Sequence, residues 1–493
     1  MHQKKKLFIL ILIAILCLFI MKVFVAEKVE QRVVAMYTKN IVAIKKEFHF
    51  NSKPYPQTNG LYMFRGNPTR SSYGTGPLPT NPTIAWKYPK EAMCKFSENR
   101  GETKKWCGAG WTGQPIVDER PDGITELMFG AYDGAVHFVN AETGTDLRPS
   151  FQTGDIIKGS IAKDPDNFPL IYFGSRDNKF RIVALDRETP TELWSLNASH
   201  NKGLWNDDWD GNPVILNDLL FEGGENGWFY IIKLNRSYDA NGKVQVDPKF
   251  LIQMPGWTDQ LLKDTGDTEV SIENSPALYK DRVYFANSAG RIVGLDISRA
   301  EEGLAPIVFD FWTGDDTDAS IVIDEAGMLY VGSEEQRHNE RGREIGQVMK
   351  IDPYTKNNPL VWSIKLPASE HLEGGVWSTM AITKDLEKNL AFSVTNSGYL
   401  LTIDRQTGEV YSKTYIGEHS WSSPNIIDGK LVVTSCKGNL TAYDFTNPSK
   451  LKQIWNLAIP SGSCIETTPA IWKGNFYFGV RDGFFYKVTE SLQ

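Results

Sequence analysis

Eight residues stand at one equivalent position of a repeated unit: Thr112, Lys158, Asp210, Glu273, Asp318, Trp377, Trp421 and Glu466. Each lies three residues before Pro115, Ile161, Pro213, Pro276, Ile321, Met380, Pro424 or Pro469. If the first strand of every unit lines a central channel, these side chains form a ring at one mouth. Four acids gathered in a low-dielectric funnel raise the local cation density and displace carboxyl pKa values. They can also coordinate a hard cation such as calcium, with Asp210, Glu273 and Asp318 as candidate ligands. The competing reading is structural: polar side chains at this position hydrogen-bond neighbouring units, and Trp377 and Trp421 pack between them. Trp205, Trp209, Trp377 and Trp421 could also offer flat faces to a carbohydrate around a polar mouth.

Three segments exceed the minimal repeat. Residues 235 to 274 contain Pro255-Gly256-Trp257-Thr258-Asp259-Gln260, an aromatic and polar mixture suited to a lid or partner surface. Gly314-Asp315-Asp316-Thr317-Asp318 matches a calcium-type loop in composition but lacks EF-hand spacing. Residues 336 to 347, with Arg337, Arg341 and Arg343 among glutamates, read as a solvated excursion. The seven histidines are scattered without metal-ligand spacing, and no Ser-His-Asp order, zinc cluster or phosphate loop stands out.

The elements that must position these residues are short β-type runs separated by Gly-centred turns, with helical periodicity almost absent. The turn between second and third strands recurs as GAYDG (130–134), GSRDN (174–178), GGENG (223–227), ANSAG (286–290), GSEEQ (332–336), VTNSG (394–398), TSCKG (434–438) and GVRDG (479–483). Eight copies at a mean period of about 50 residues fit four-stranded propeller blades. A strand ending in Asp follows the turn in many units, as at Asp186, Asp296, Asp352, Asp404 and Asp444, and Trp194, Trp362 and Trp455 close several units. The last unit has only three strands, so the run Ile84-Ala85-Trp86-Lys87-Tyr88 is expected to supply its fourth and close the ring. The fold expected is therefore all-β: an eight-bladed β-propeller of four-stranded antiparallel blades over residues 61–493, closed by a strand near 83–88.

Lys4, Lys5 and Lys6 precede the run Leu7 to Ala26, apolar except for Lys22. Twenty residues of helix span ~30 Å, enough for a bilayer, and the lysines keep residues 1–6 cytoplasmic. Residues 7–26 thus read as a transmembrane signal anchor, in preference to a cleaved signal peptide, because Phe24 sits poorly at a small-residue cleavage site. Residues 27–60 read as a membrane-proximal helix and linker. Net charge is −7, and −11 once the first 26 residues are set aside, which argues against nucleic acid as a partner. Cys94, Cys107, Cys436 and Cys464 remain outside the anchor, an even number suited to an oxidising compartment. Sequence proximity suggests Cys94–Cys107 and Cys436–Cys464, one of three possible pairings.

The Ser/Thr-Pro before the first strand, the Gly-rich turn, the Leu-Asp and the closing Trp together resemble the pyrroloquinoline-quinone-type propeller repeat, over about residues 84 to 493. The resemblance implies either of two roles. That superfamily contains periplasmic alcohol and methanol dehydrogenases, whose quinone and calcium sit over the channel, and non-enzymatic scaffolds such as the outer-membrane assembly lipoprotein. Asn206-Asp207-Asp208-Trp209-Asp210, followed by Glu225-Asn226-Gly227-Trp228 and Leu234-Asn235-Arg236, is similar to the dehydrogenase stretch that supplies a catalytic base, which would map to Asp207. Glu225 stands where those enzymes carry a quinone-contacting cation, and no two cysteines are adjacent as theirs are. The reading therefore favours a membrane-anchored binding or scaffold module for a protein or polar small ligand, on the periplasmic or extracellular side of the cell envelope. Calcium is the cofactor to consider and pyrroloquinoline quinone is disfavoured. The alternative is a quinone-dependent alcohol dehydrogenase using Asp207 with a divalent cation.

Overall fold

The computed structural model describes residues 49–491 except 51–52, 100, 111–112, 368–373 and 385–387. The expected anchor at 7–26, most of the 27–60 segment and Thr112 of the ring lie outside the described residues. No helix among the described residues is long and apolar enough to cross a membrane.

Eight antiparallel blades follow one another among the described residues, spanning 116–152, 162–197, 214–255, 277–312, 322–364, 381–415, 425–458 and 470–490. First strands of neighbouring blades touch, as 277–279 does 322–323 and 470–472 does 116–119, so they face the axis. Strands two and three are buried almost throughout, whereas a fourth strand such as Lys452–Ala458 is mostly exposed. This gradient explains why the inner strands read as apolar runs and the outer ones do not. Apolar clusters fill the spaces between adjacent blades, joining for example Phe229 of the third blade with Phe285 of the fourth, whose rings stack at 4.2 Å.

The eighth blade takes its fourth strand from the front of the chain: Pro82–Tyr88 pairs with Phe484–Glu490. Trp86 then occupies the place that Trp362 holds in the fifth blade. Trp86 donates its indole N–H to Ala141 O at 3.2 Å and Trp362 donates to Arg405 O at 3.0 Å, each on the next blade. Each ring lies over the glycine of a Thr-Gly turn, where a Cβ on Gly144 or Gly408 would come within 2.8 Å of the indole. The recurrent Thr-Gly is thus the seat of the closing Trp.

Residues 61–76 fall within the expected propeller, and together with Gly60 they form a plug that hydrogen-bonds to all eight blades. Leu61 pairs with Val117, Lys163 N donates to Tyr62 O, and Phe64 N donates to Asn212 Oδ1. Arg70 donates to Pro276 O, Ile323 N donates to Thr69 O, and Ile382 N donates to Tyr73 Oη. Arg65 donates to Pro424 O, and Thr75 N donates to Ile471 O. Gly74 has φ +130° and its missing Cβ leaves room for Ile471 O, which a side chain would approach to 2.1 Å. Arg65 and Arg70 are fully buried with carbonyl and Asn212 oxygens as partners, and burial pushes their pKa values down to about 10 and about 9. Tyr55, expected in the linker, already packs on the core.

Candidate functional site at the channel mouth

The ring residues fall where the strand geometry requires, just ahead of each inner strand, but they do not staple the blades together. That task belongs to the residues two places later. Gln114, Asn212, Ser275, Ser320, Thr379 and Ser423 each donate a backbone N–H to a Ser or Thr hydroxyl of the following blade at 2.6–3.0 Å. Asn212 Nδ2 donates to Ser160 O and Thr468 N to Gly113 O, completing the belt at the remaining two junctions. With the belt joining the blades, the described ring side chains make their own contacts with one another and with the neighbouring turns.

The described ring divides into sectors. Lys158 and Asp210 are ion-paired, Glu273 and Asp318 lie together, Trp377 and Trp421 stack at 4.9 Å, and Glu466 pairs with Arg481 at 3.2 Å. Trp377 and Trp421 therefore cover one another, the packed arrangement weighed above, and Trp421 donates to Asn396 Oδ1. Asp210, Glu273 and Asp318 do not share one set of coordinating atoms; the carboxylates fall into two groups.

The first group is Asp208, Asp210 and Glu225, all buried. Lys158 reaches all three, at 3.2 Å from Asp208 and 3.1 Å from Glu225, with Asp210 closer still. Arg176 donates to Asp208 at 2.9 Å. Burial raises Asp208, but the two cations outweigh it and hold its carboxyl below the usual range. Asp210 is pushed well above that range by burial and by the neighbouring carboxylates, against the pull of Lys158.

The second group is Asp316, Asp318 and Glu334, whose nearest oxygens lie within 4.8 Å of one another. Ser271 holds Glu273 beside them at 2.7 Å from its hydroxyl. Burial first and mutual repulsion second push Asp316, Asp318 and Glu334 well above the usual carboxyl range. Glu334 is fixed by a two-residue ladder, Glu334–Glu335 against Gly374–Gly375, and accepts a hydrogen bond from Gln336 on one oxygen. Among the described residues no lysine is ion-paired with this group. Arg337, expected in a solvated excursion, is instead half-buried just ahead of a short helix at Glu340–Ile345, with its guanidinium turned to Asp267 at 2.8 Å.

Between the groups opens a cleft of about 250 Å³ lined by Trp106, Lys158, Arg176, Trp205, Glu273, Asp316, Asp318 and Trp377. Trp106 comes from a hairpin, Cys94–Asn99 with Glu102–Cys107, closed by the Cys94–Cys107 disulfide. It lies edge-on to Tyr132, with Arg176 and Arg481 about 5 Å from its ring. Cys436–Cys464 is the second bridge, so both suggested pairings hold. Asp207 is half-buried and belongs to neither carboxylate group. Trp209 is buried between Phe180 and Tyr230, which removes it from any sugar-stacking surface. The long 235–274 segment supplies the third blade's outer strand, Lys249–Pro255, and a helix at Asp259–Thr265.

Asp208, Asp316, Glu334, Arg176, Arg481 and Trp106 were not singled out from the ring alignment. A signal for several was present in the aligned turns. Their middle residues are Tyr132, Arg176, Glu225, Ser288, Glu334, Asn396, Cys436 and Arg481. Several of these touch the first ring: Tyr132 donates to Glu466, Glu225 meets Lys158, and Asn396 accepts from Trp421.

Fold and mouth together define a propeller of the quinoprotein-type repeat. The family described as outer membrane protein assembly factor BamB matches residues 132–414, more than half of the chain, and the chain belongs to that family. Quinohemoprotein alcohol dehydrogenase from Comamonas testosteroni is similar in structure with TM-score 0.54 and 12% identity, covering 89% of this chain and 82% of that one. Sqt1 of Saccharomyces cerevisiae aligns with TM-score 0.54 and 8% identity over 78% of this chain and 100% of its own. The computationally designed Ika8 protein gives 0.51 and 14% over 77% and 96%. At these identities the likeness is one of fold. No curated protein matches the chain in sequence.

Proposed function

We propose that this chain is a binding or scaffold module, anchored in a membrane by residues 7–26 and displaying the propeller mouth on the periplasmic or extracellular side of a cell envelope. The observation that carries the reading is the charged cleft bounded by Trp106, Trp205 and Trp377, set at the end of the channel away from the plug. A protein segment or polar ligand would enter there, and a divalent cation such as calcium belongs to the same reading.

The dehydrogenase alternative rests on the resemblance around Asp207. The residues present do not fit a tricarboxylate quinone. Lys158 and Arg176, the cations of the first group, are already held by Asp208, Asp210 and Glu225, and the facing groups are carboxylates. We derive no step through that cofactor.

The test is site-specific photo-crosslinking in intact cells of the source, with the probe placed at Trp205 in the mouth or at Ile454 on an outer strand. A discrete adduct from Trp205, absent from Ile454, in the membrane fraction is the expected result. No adduct from Trp205 or from Gln336, which also lines the cleft, would overturn the reading.

A further inference from the structure

The two carboxylate groups of the mouth are built alike and neutralised differently. Each gathers three acids: one ring residue, the acid two places before it, and the middle residue of a second-strand turn, namely Asp210, Asp208 and Glu225 in one and Asp318, Asp316 and Glu334 in the other. In the first, the ammonium of Lys158 stands among all three. In the second, no cation among the described residues is ion-paired with the three acids, and Arg337 acts on Asp316 only electrostatically. The nearest guanidinium, Arg337, is spent on Asp267 and on the carbonyls of Ser288 and Glu269.

The second group also carries orphaned acceptors. Asp316 Oδ1, Asp318 Oδ1 and Glu334 Oε1 are buried without a hydrogen-bond donor, and Asp316 and Glu334 are only 6% and 1% exposed. A buried carboxylate oxygen without donor or cation is costly, so such groups are retained where something positive completes them. Three carboxylates can give a calcium ion up to six oxygens, and Asp318 and Glu273 are near enough for Asp318 to raise the Glu273 carboxyl electrostatically. Asp316, Asp318 and Glu273 face the cleft, which provides an entry path.

We infer that Asp316, Asp318 and Glu334, with Glu273 beside them, form a site for a hard divalent cation, calcium in preference to magnesium, and that Lys158 is the built-in substitute for such a cation in the neighbouring group. The preference follows from ligand type: clustered carboxylates suit calcium's irregular oxygen shell, while magnesium dehydrates reluctantly and wants octahedral geometry. Asp210, a ligand candidate from sequence, is excluded from this site by its pairing with Lys158. The inference deepens the reading of the mouth as the binding end.

The full-length chain in detergent, stripped with a chelator, would be titrated with calcium and magnesium by calorimetry and with terbium by luminescence sensitised through Trp377 and Trp205. One calcium per chain is expected, with Kd of about 10⁻⁶–10⁻⁴ M and weaker magnesium binding. Asp316→Asn with Glu334→Gln should weaken calcium by about a hundredfold. The same double variant should raise the unfolding midpoint in chelator, since repulsion is relieved, which separates loss of a site from loss of the fold. No calcium heat and no terbium signal from the stripped wild-type chain overturns the site, as does calcium binding that survives the double variant and is lost in Asp210→Asn. The mouth reading fails separately: a Trp205 crosslink that persists when no calcium binds leaves that reading standing without the cation.

Discussion

At the scale of single residues the decisive one is Lys158. Its ammonium sits among Asp208, Asp210 and Glu225 with 9% side-chain exposure, so removing it strands three carboxylates in a buried pocket. Lys158→Met is expected to cost about 3–5 kcal/mol, read as a lowered urea midpoint at unchanged slope. Asp208 supplies a pH test. Its folded carboxyl lies below the unfolded value of about 3.9, so it contributes stability that is present above that value and lost as pH falls through the folded one. The stability gap between wild type and Asp208→Asn should therefore hold at neutral pH and narrow as pH falls through the unfolded value of about 3.9 towards the lower folded one, in urea titrations; a constant gap would assign its role to packing. The acid ring was legible in the sequence because ring positions keep a fixed offset from the proline or its apolar equivalent. Its division into two groups was not, because which acid meets which cation depends on the turns of neighbouring blades, far apart in sequence.

At the scale of elements the hairpin 94–107 brings Trp106 to the mouth, and its disulfide closes a loop with sequence separation 13. Replacing both cysteines by serine should lower stability by about 2–4 kcal/mol and shift Trp emission to the red, as Trp106 leaves Tyr132 and the two arginines. If emission is unchanged, the strand ladder alone holds the hairpin. The closing strand makes an internal comparison available. Trp86→Ala and Trp362→Ala each remove an indole from an equivalent Thr-Gly seat, and both should cost up to about 3 kcal/mol in thermal or chemical unfolding. The closing strand was readable because its run of alternating exposure follows the blade-four pattern and the last unit lacked a partner. The hairpin was not, since its strands carry polar residues and their pairing is fixed by the bridge rather than by a buried face.

At the scale of the whole molecule the plug ties every blade to one short segment. A chain beginning after residue 76 should lose cooperativity, with amide hydrogen exchange accelerating in inner strands of all eight blades rather than in one. Arg70→Met should reproduce much of the loss, because carbonyl and Asn212 acceptors would be left buried without donors. The number of blades was legible from the turns alone, whereas the plug was hidden: residues 60–76 carry no repeat, and their bonds, part backbone and part from Arg65, Arg70 and Tyr73 side chains, run mainly to backbone groups far away in sequence. Its position also sets the direction of traffic. With Arg65, Arg70, Met63 and Phe64 filling the axis below the belt, the central passage is a well and not a pore. Whatever enters past Trp205 must leave by the same door, so residence there is governed by release at the rim, and nothing can be threaded from one side of the disc to the other.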